Sequence, residues 1–268
     1  MKIATDMNEK RKLDYGIDAP GIRMGMFLIS IVGFIIICFT IWASSIWFKD
    51  LPIVRFIFYF LGVTLTSYGM YMASYMTYSS RIGKLKTRDF LLIEAGKYLD
   101  WIDISKTLDI GCGKGLLLIG AAKKLKTGLS IGIDIWNPND QSENNESSTI
   151  QNADIEGVAE KIKLLTADAR KLPFDSDSID LVMSHWVIHN VEAENEQLQS
   201  LDEMYRVLKP GGVIILADIQ NVKNYCTHLE ALGTKTVYFN DGGIEAKVMS
   251  ILSGGTYVPQ SIICIKSK

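Results

Sequence analysis

Two long stretches without a charged residue constrain this chain more than any other feature. Between Arg23 and Lys49 lie 25 uncharged residues, including the run IVGFIIICFTIW, and between Arg55 and Arg81 lie another 25. A helix crosses a bilayer core with about 20 apolar residues, so each stretch can span it with some tilt. The second is more diluted in its C-terminal half, by Thr64, Thr66, Ser67, Ser74, Thr77 and the four tyrosines Tyr68, Tyr71, Tyr75 and Tyr78. The connection between them carries Pro52, which suits a helix start or a tight turn. The sequence therefore predicts a transmembrane helical hairpin, with spans at about 24–48 and 56–80 inside an N-terminal segment 1–81. Membrane lipid is its expected partner through residues 24–80. A cleaved signal peptide fits less well, because the first stretch is long, begins late and is followed by a second. A buried soluble hairpin is the other alternative, and uncharged runs of this length are rare in water-soluble helices.

Basic residues suggest the orientation. Lys10, Arg11, Lys12 and Arg23 precede the first stretch, and Arg81, Lys84, Lys86 and Arg88 follow the second. The connection holds only Lys49 and Arg55, offset by Asp50. This bias places both termini, and the domain that follows, in the cytoplasm. Tyr68, Tyr71, Tyr75 and Tyr78 share one helical face. That face reads either as a wall for an amphiphilic substrate or as an aromatic belt with helix packing, helped by Gly69 and Ala73.

Residues 82–268 have a different character. The first 81 residues carry 8 Lys+Arg against 5 Asp+Glu, the remainder 20 against 25. The net charge of −2 gives no basic excess for binding nucleic acid. A hydrophobic fraction of 48% excludes intrinsic disorder. Cys38, Cys112, Cys226 and Cys264 show neither metal-ligand spacing nor a disulfide framework, which fits a reducing compartment and predicts no metal site.

From residue 82 the pattern alternates. Helices are expected at 90–102, 116–125, 149–160, 194–208 and 224–232, and strands at 107–110, 129–135, 162–166, 179–184 and 213–219, with closing strands at 236–240 and 261–266. Residues 137–146 read as a polar loop, and Lys209-Pro-Gly-Gly212 as a helix stop. Such alternation predicts an α/β domain with a parallel sheet and helices on both faces, binding its ligand at the carboxyl ends of the strands. The chemistry-bearing residues cluster at those ends. Asp109 and the glycine loop Gly111, Cys112, Gly113, Gly115 follow the first strand, and Asp134 with Ile135 the second. Asp168 and Ala169 follow the third, and Ser184, His185 and Trp186 the fourth, with His189 just beyond. Glycines let backbone approach a ligand closely, and an acid in the position of Asp134 accepts from ribose hydroxyls. Leu116 stands where a dinucleotide motif wants Gly or Ala, so a nicotinamide or flavin site is disfavoured. An acid ahead of the loop suits a ligand carrying an ammonium group better than a pyrophosphate.

LDIGCGKG, GIDI, TADARKLPFDSDSIDLVMS and EMYRVLKPGGVIIL, in that order, resemble the motifs of class I S-adenosylmethionine-dependent methyltransferases, most nearly the ubiquinone, sterol and arsenite branch. The resemblance implies a Rossmann-like, seven-stranded methyltransferase sheet for 82–268 and S-adenosylmethionine as cofactor. It implies that the loop 111–115 contacts the methionyl part, Asp109 the ammonium group, Asp134 the ribose, and Ile135 and Trp136 the adenine. Asp168 would accept from the adenine amino group, Ala169 would offer its backbone N–H, and Ser184 and His185 would lie near the sulfonium. Pro210, Gly211 and Gly212 match a motif that is structural. Cys112 reads as a small filler rather than a nucleophile. His185 and His189 are the candidate general bases, with His228 a weaker one. The expectation is a membrane-anchored methyltransferase acting on a small or lipid-like acceptor. The alternatives are a non-catalytic membrane scaffold that binds the cofactor, and a protein methyltransferase. The arsenite subgroup fits poorly, because its chemistry wants clustered thiols and these are scattered along the chain.

Overall fold

The computed structural model describes residues 13–44 and 46–268, so Lys10, Arg11 and Lys12 of the orientation signal lie outside the described residues. The chain divides into two compact units, one of residues 16–84 with 138–143, the other of the remainder.

In the first unit, α1 (Pro20–Ala43) and α2 (Pro52–Tyr78) each open on a proline, whose missing N–H and fixed φ suit a first helical position. Both helices are long and apolar enough to cross a membrane. Their burial is the reverse of that in a water-soluble hairpin. Phe34, Ile41, Phe56 and Phe60 are exposed, while Ser30, Gly33, Thr40, Gly62 and Gly69 are buried. Small residues let the backbones meet: a Cβ on Gly33 would stand 2.5 Å from Thr66 N, and one on Gly69 2.4 Å from Met26 O. Hydroxyls of Thr40, Thr64, Thr66 and Thr77 bond back to the carbonyls four residues earlier, so polar groups are satisfied inside each helix. α1 ends earlier than the uncharged stretch does, because Trp47 and Phe48 turn back to donate to Ala43 O. Lack of charge marks apolar content, not the end of a helix. Of the four tyrosines, Tyr71 and Tyr78 are exposed, Tyr68 and Tyr75 half-buried, and Tyr71 stacks on Tyr75. A π-helical turn, Ser79–Gly83, follows α2.

The second unit is built on seven strands: β1 (Lys106–Ile110), β2 (Leu129–Asp134), β3 (Ile162–Thr166), β4 (Ile179–His185), β5 (Leu208–Asp218), β6 (Thr234–Asn240) and β7 (Gln260–Lys266). Their order is β3-β2-β1-β4-β5-β7-β6. The helices are α3 (Lys84–Ala95), α4 (Leu116–Lys124), α5 (Glu146–Ile155), α6 (Glu194–Val207), α7 (Val222–Leu232) and α8 (Gly243–Leu252). Successive strand residues point to opposite faces. Leu181, Met183, Val213 and Ile215 therefore pack with Leu91, Leu92 and Leu117 of α3 and α4. Val182, Ile214 and Leu216 pack on the other face with Leu201, Met204, Tyr225 and Leu229 of α6 and α7. The result is a Rossmann-like sheet covered on both sides.

Several elements depart from the sequence pattern. The sheet is mixed: β7 runs antiparallel to both β5 and β6. Its connection from β6 carries α8, which buries Ala246 and Met249 and leaves Ile244 and Ile251 each 81% exposed, and the antiparallel pairing of β6 with β7 makes it no crossover. α8 itself was not expected, although glycines bracket it on both sides. α3 begins and ends earlier than its expected helix, and the 137–146 loop is cut short because Asn145 caps α5 by accepting the Ser148 N–H at 2.9 Å. Lys209-Pro-Gly-Gly212 follows the end of α6 at Val207, as a helix stop should, but it also forms the irregular start of β5, where the register shifts opposite Asp180.

Candidate active site

Strand order reverses between β1 and β4, and the carboxyl ends at such a point are where α/β sheets bind their ligands. The first loop there is held from outside. Asp109 is buried, and its Oδ2 accepts the Leu118 N–H at 2.8 Å, an amide in the first turn of α4 that has no partner within the helix. Burial, aided by the charge of Asp134 and opposed by that bond, pushes the Asp109 carboxyl up to about 8. Gly111 and Gly115 have φ of 65° and 87°, a region that disfavours side chains. A Cβ on Gly111 would also stand 2.3 Å from Val187. The N–H groups of Cys112, Gly113 and Gly115 are already given to Ile133 O, Asp134 Oδ2 and Cys112 O. The loop thus offers a ligand close approach rather than amide donors.

Cys112 packs its side chain against Gly132. Burial and the two aspartates raise its thiol well above the usual range, so it stays protonated and fills space. Two residues of α5 clamp the same loop and carried no sequence signal: Thr149 Oγ1 donates to Gly113 O at 2.6 Å, and Asn152 Nδ2 to Lys114 O at 2.9 Å.

Asp134 closes β2 and is nearly spoken for. Its Oδ2 accepts Gly113 N at 2.8 Å, and its Oδ1 accepts Trp136 N at 2.6 Å and Asn144 Nδ2 at 3.3 Å. A carboxylate has about four lone-pair positions, so one is left, on Oδ2. Two ribose hydroxyls would need Asn144 to give up its place on Oδ1. Ile135 beside it is 61% exposed, an apolar surface at the strand tip. Trp136 is held by its Nε1 bond to Thr166 Oγ1 at 3.0 Å.

After β3, Arg170 grips Asp168, its Nη2 lying 2.6 Å from Oδ2, and holds that carboxyl below the usual range. Arg170 also reaches Glu196 at 2.8 Å. A base amino group would have to share Asp168 with this guanidinium. The Ala169 N–H makes no hydrogen bond among the described residues.

After β4, Ser184 lies opposite Ile110 in register, and its buried Oγ has no partner among the described residues. His185 stacks on Trp186 at 4.8 Å, and Trp186 meets Tyr257 edge to face. His189 occupies a short 3₁₀ turn, Ile188–Asn190. Its Nδ1 forms a very short hydrogen bond with Oδ1 of Asp218, and its backbone N–H donates to Oδ2 at 3.2 Å. Asp218 ends β5, is fully buried, and was not singled out from the sequence. His228 is elsewhere: it pairs with Asp202 of α6 at 2.7 Å. The thiols are less scattered than their numbering implies, for Cys226 and Cys264 both approach Thr236 Oγ1, at 3.1 and 3.5 Å. No group of His, Cys, Asp and Glu that could hold a metal occurs among the described residues.

Comparison with known proteins bears on the domain as a whole. Residues 108–216 match the family described as "Methyltransferase domain". Demethylmenaquinone methyltransferase of Staphylococcus aureus is 38% identical over 113 residues, which cover 41% of this chain and 42% of the relative. Methyltransferase GfsG of Streptomyces halstedii is 32% identical over 137 residues, covering 48% and 45%. The matched stretch thus spans about half the length of the curated relatives or less. Among solved structures, geranyl diphosphate C-methyltransferase from Streptomyces coelicolor A3(2), in complex with Mg2+, geranyl diphosphate and S-adenosyl-L-homocysteine, superposes with a TM-score of 0.55 at 12% identity, covering 72% of this chain and 84% of that one. At such identity the likeness speaks to fold alone. The segment 108–216 that is similar to the methyltransferase domain family thus runs from β1 into β5 of a Rossmann-like sheet.

Proposed function

We propose that this chain is a membrane-anchored methyltransferase that takes its methyl group from S-adenosylmethionine and passes it to a small or lipid-like acceptor. The observation that carries the reading is the gathering of Asp109, the glycine loop, Asp134, Ala169 and Ser184 at the tips of four adjacent strands of one sheet. These groups fit the cofactor. Asp109 keeps one oxygen for an ammonium group, Asp134 one lone pair for a ribose hydroxyl, Ala169 a donor and Ile135 an apolar surface for adenine, and Ser184 an unsatisfied hydroxyl beside them. When bound, the cofactor supplies an electrophilic methyl group on a sulfonium. The chain's residues have only to align an acceptor with that group and exclude water. His189 adds a proton acceptor: with Nδ1–H given to Asp218, its Nε2 is the basic nitrogen.

The anchor reading rests on the outward apolar faces of α1 and α2, with the hairpin as residues 1–81, the catalytic domain as 82–268 and both termini cytoplasmic. The name of the staphylococcal relative supports a small-molecule acceptor. Calorimetric titration of the purified full chain with S-adenosylmethionine is the test of the cofactor, with Asp134→Ala expected to weaken binding at least about tenfold. No binding, or equal binding by the variant, removes the enzyme reading. Incubating membranes with methyl-labelled cofactor then reads the acceptor. Label in a lipid or small-molecule extract supports the proposal, label in protein favours a protein methyltransferase, and binding without transfer favours a scaffold.

A further inference from the structure

Within the hairpin unit, α1 and α2 leave a cavity of about 660 Å³ between the first turns of α1 and the last turns of α2. Met24, Phe27 and Met70 give it an apolar wall. Arg23 and Arg81 also line it, together with Thr77, and no carboxylate does. Neither arginine makes an ion pair among the described residues. Arg23 reaches Thr77 Oγ1 only at 3.5 Å, and its Nε is buried with no hydrogen-bond partner. A buried guanidinium N–H without an acceptor is unfavourable unless a ligand supplies one. Arginines at helix ends commonly extend into water, but that habit leaves no buried Nε and requires no cavity.

We infer that this cavity is a binding site for an anionic phospholipid. The two guanidiniums would take the phosphate, whose oxygens match their planar donor pairs, and the apolar wall would take the start of an acyl chain. The bilayer setting comes from the anchor reading above, so the test must separate the two.

Full-length protein in a zwitterionic detergent is titrated with dioleoyl phosphatidylglycerol, with dioleoyl phosphatidylcholine and with inorganic phosphate, following thermal unfolding and, by native mass spectrometry, bound lipid. Phosphatidylglycerol is expected to stabilise saturably at one lipid per chain, and the other two to do little. Arg23→Gln combined with Arg81→Gln should raise the phosphatidylglycerol midpoint at least about tenfold, while the paired lysine replacements should keep most of the affinity. Binding of S-adenosylmethionine by both pairs reports that the protein is folded. An equal response to phosphatidylcholine, or an unchanged midpoint in the glutamine pair, overturns the inference. Phosphate acting as well as the lipid overturns the amphiphile and leaves an anion site. Alkaline carbonate extraction of native membranes is read separately: release of the chain there refutes the anchor and not the lipid site, whereas retention without selective lipid binding refutes the site alone.

Discussion

Asp109 holds a proton that a cofactor's ammonium group would expel. Its carboxyl is pushed up to about 8 in the folded chain by burial, against an unfolded value near 4. Between those values the folded chain binds a proton that the unfolded chain has lost, so raising the pH through this window lowers stability, and above it the slope vanishes. An approaching ammonium favours the ionised form. Binding of S-adenosylmethionine at pH 7 is therefore expected to release up to about one proton, read as a dependence of calorimetric enthalpy on buffer ionisation. The release should disappear in Asp109→Asn and above about pH 9. A second prediction concerns His189. If Asp218 orients its ring, His189→Gln and Asp218→Asn should each lower kcat about 100-fold or more for an acceptor that loses a proton. Cofactor affinity should hold within about twofold, and the double variant should be little worse than either single one, as for residues acting as a unit. Unaltered kcat, or fully additive losses, would remove the pair from the chemistry. The acids and glycines of this site were legible in the sequence because each sits within a few residues of its strand end. Asp218 was not, because only the sheet brings the end of β5 beside the turn that holds His189.

At the scale of elements, the strands read well because their apolar runs are short and bounded, and all seven stand where the pattern places them, with shifts at their ends. What failed was punctuation that depends on tertiary partners. Gly212 belongs to β5 because it presses against Asp180 O, where a Cβ would stand only 2.9 Å away, and no local rule could supply that neighbour. α8 is short and buries only Ala246 and Met249 while Ile244 and Ile251 stay exposed, so its apolar pattern does not mark its buried side. α5 shows how an unremarkable polar helix can matter. Thr149 is fully buried, and Thr149→Val would strip Gly113 O of its donor while keeping the volume. An unsatisfied buried carbonyl costs about 1–3 kcal/mol, so urea unfolding should show a loss of that size. Because the freed carbonyl belongs to the glycine loop, cofactor affinity should fall as well. A stability loss with unchanged affinity would mean that α5 supports the domain without shaping the loop.

The whole molecule raises the question of sidedness. Orientation was read from basic residues flanking the apolar stretches, but in the folded chain these are not equivalent. Lys84 is buried against Gly16 O and Asp18, and Arg88 is engaged by Asp89 and Tyr15. The positive-inside bias acts during insertion, before such pairs form, so both still count toward it, together with Arg23, Arg81 and Lys86. The connection between α1 and α2 offers only Lys49 and Arg55 against them, with Asp50 alongside. Two spans with both ends inside predict opposite labelling of two introduced thiols. Cys38, exposed on α1, is first replaced by alanine, and the remaining cysteines are buried or half-buried. In intact cells a membrane-impermeant maleimide should then modify Asp50→Cys and leave Lys268→Cys untouched, while permeabilisation should expose the latter. Labelling of Lys268→Cys without permeabilisation would invert the topology and put the methyltransferase domain outside. Protection of both positions in intact cells, with both becoming reactive once the membrane is opened, would mean that the hairpin does not cross at all, and that its outward phenylalanines and isoleucines lie against one leaflet or another protein instead.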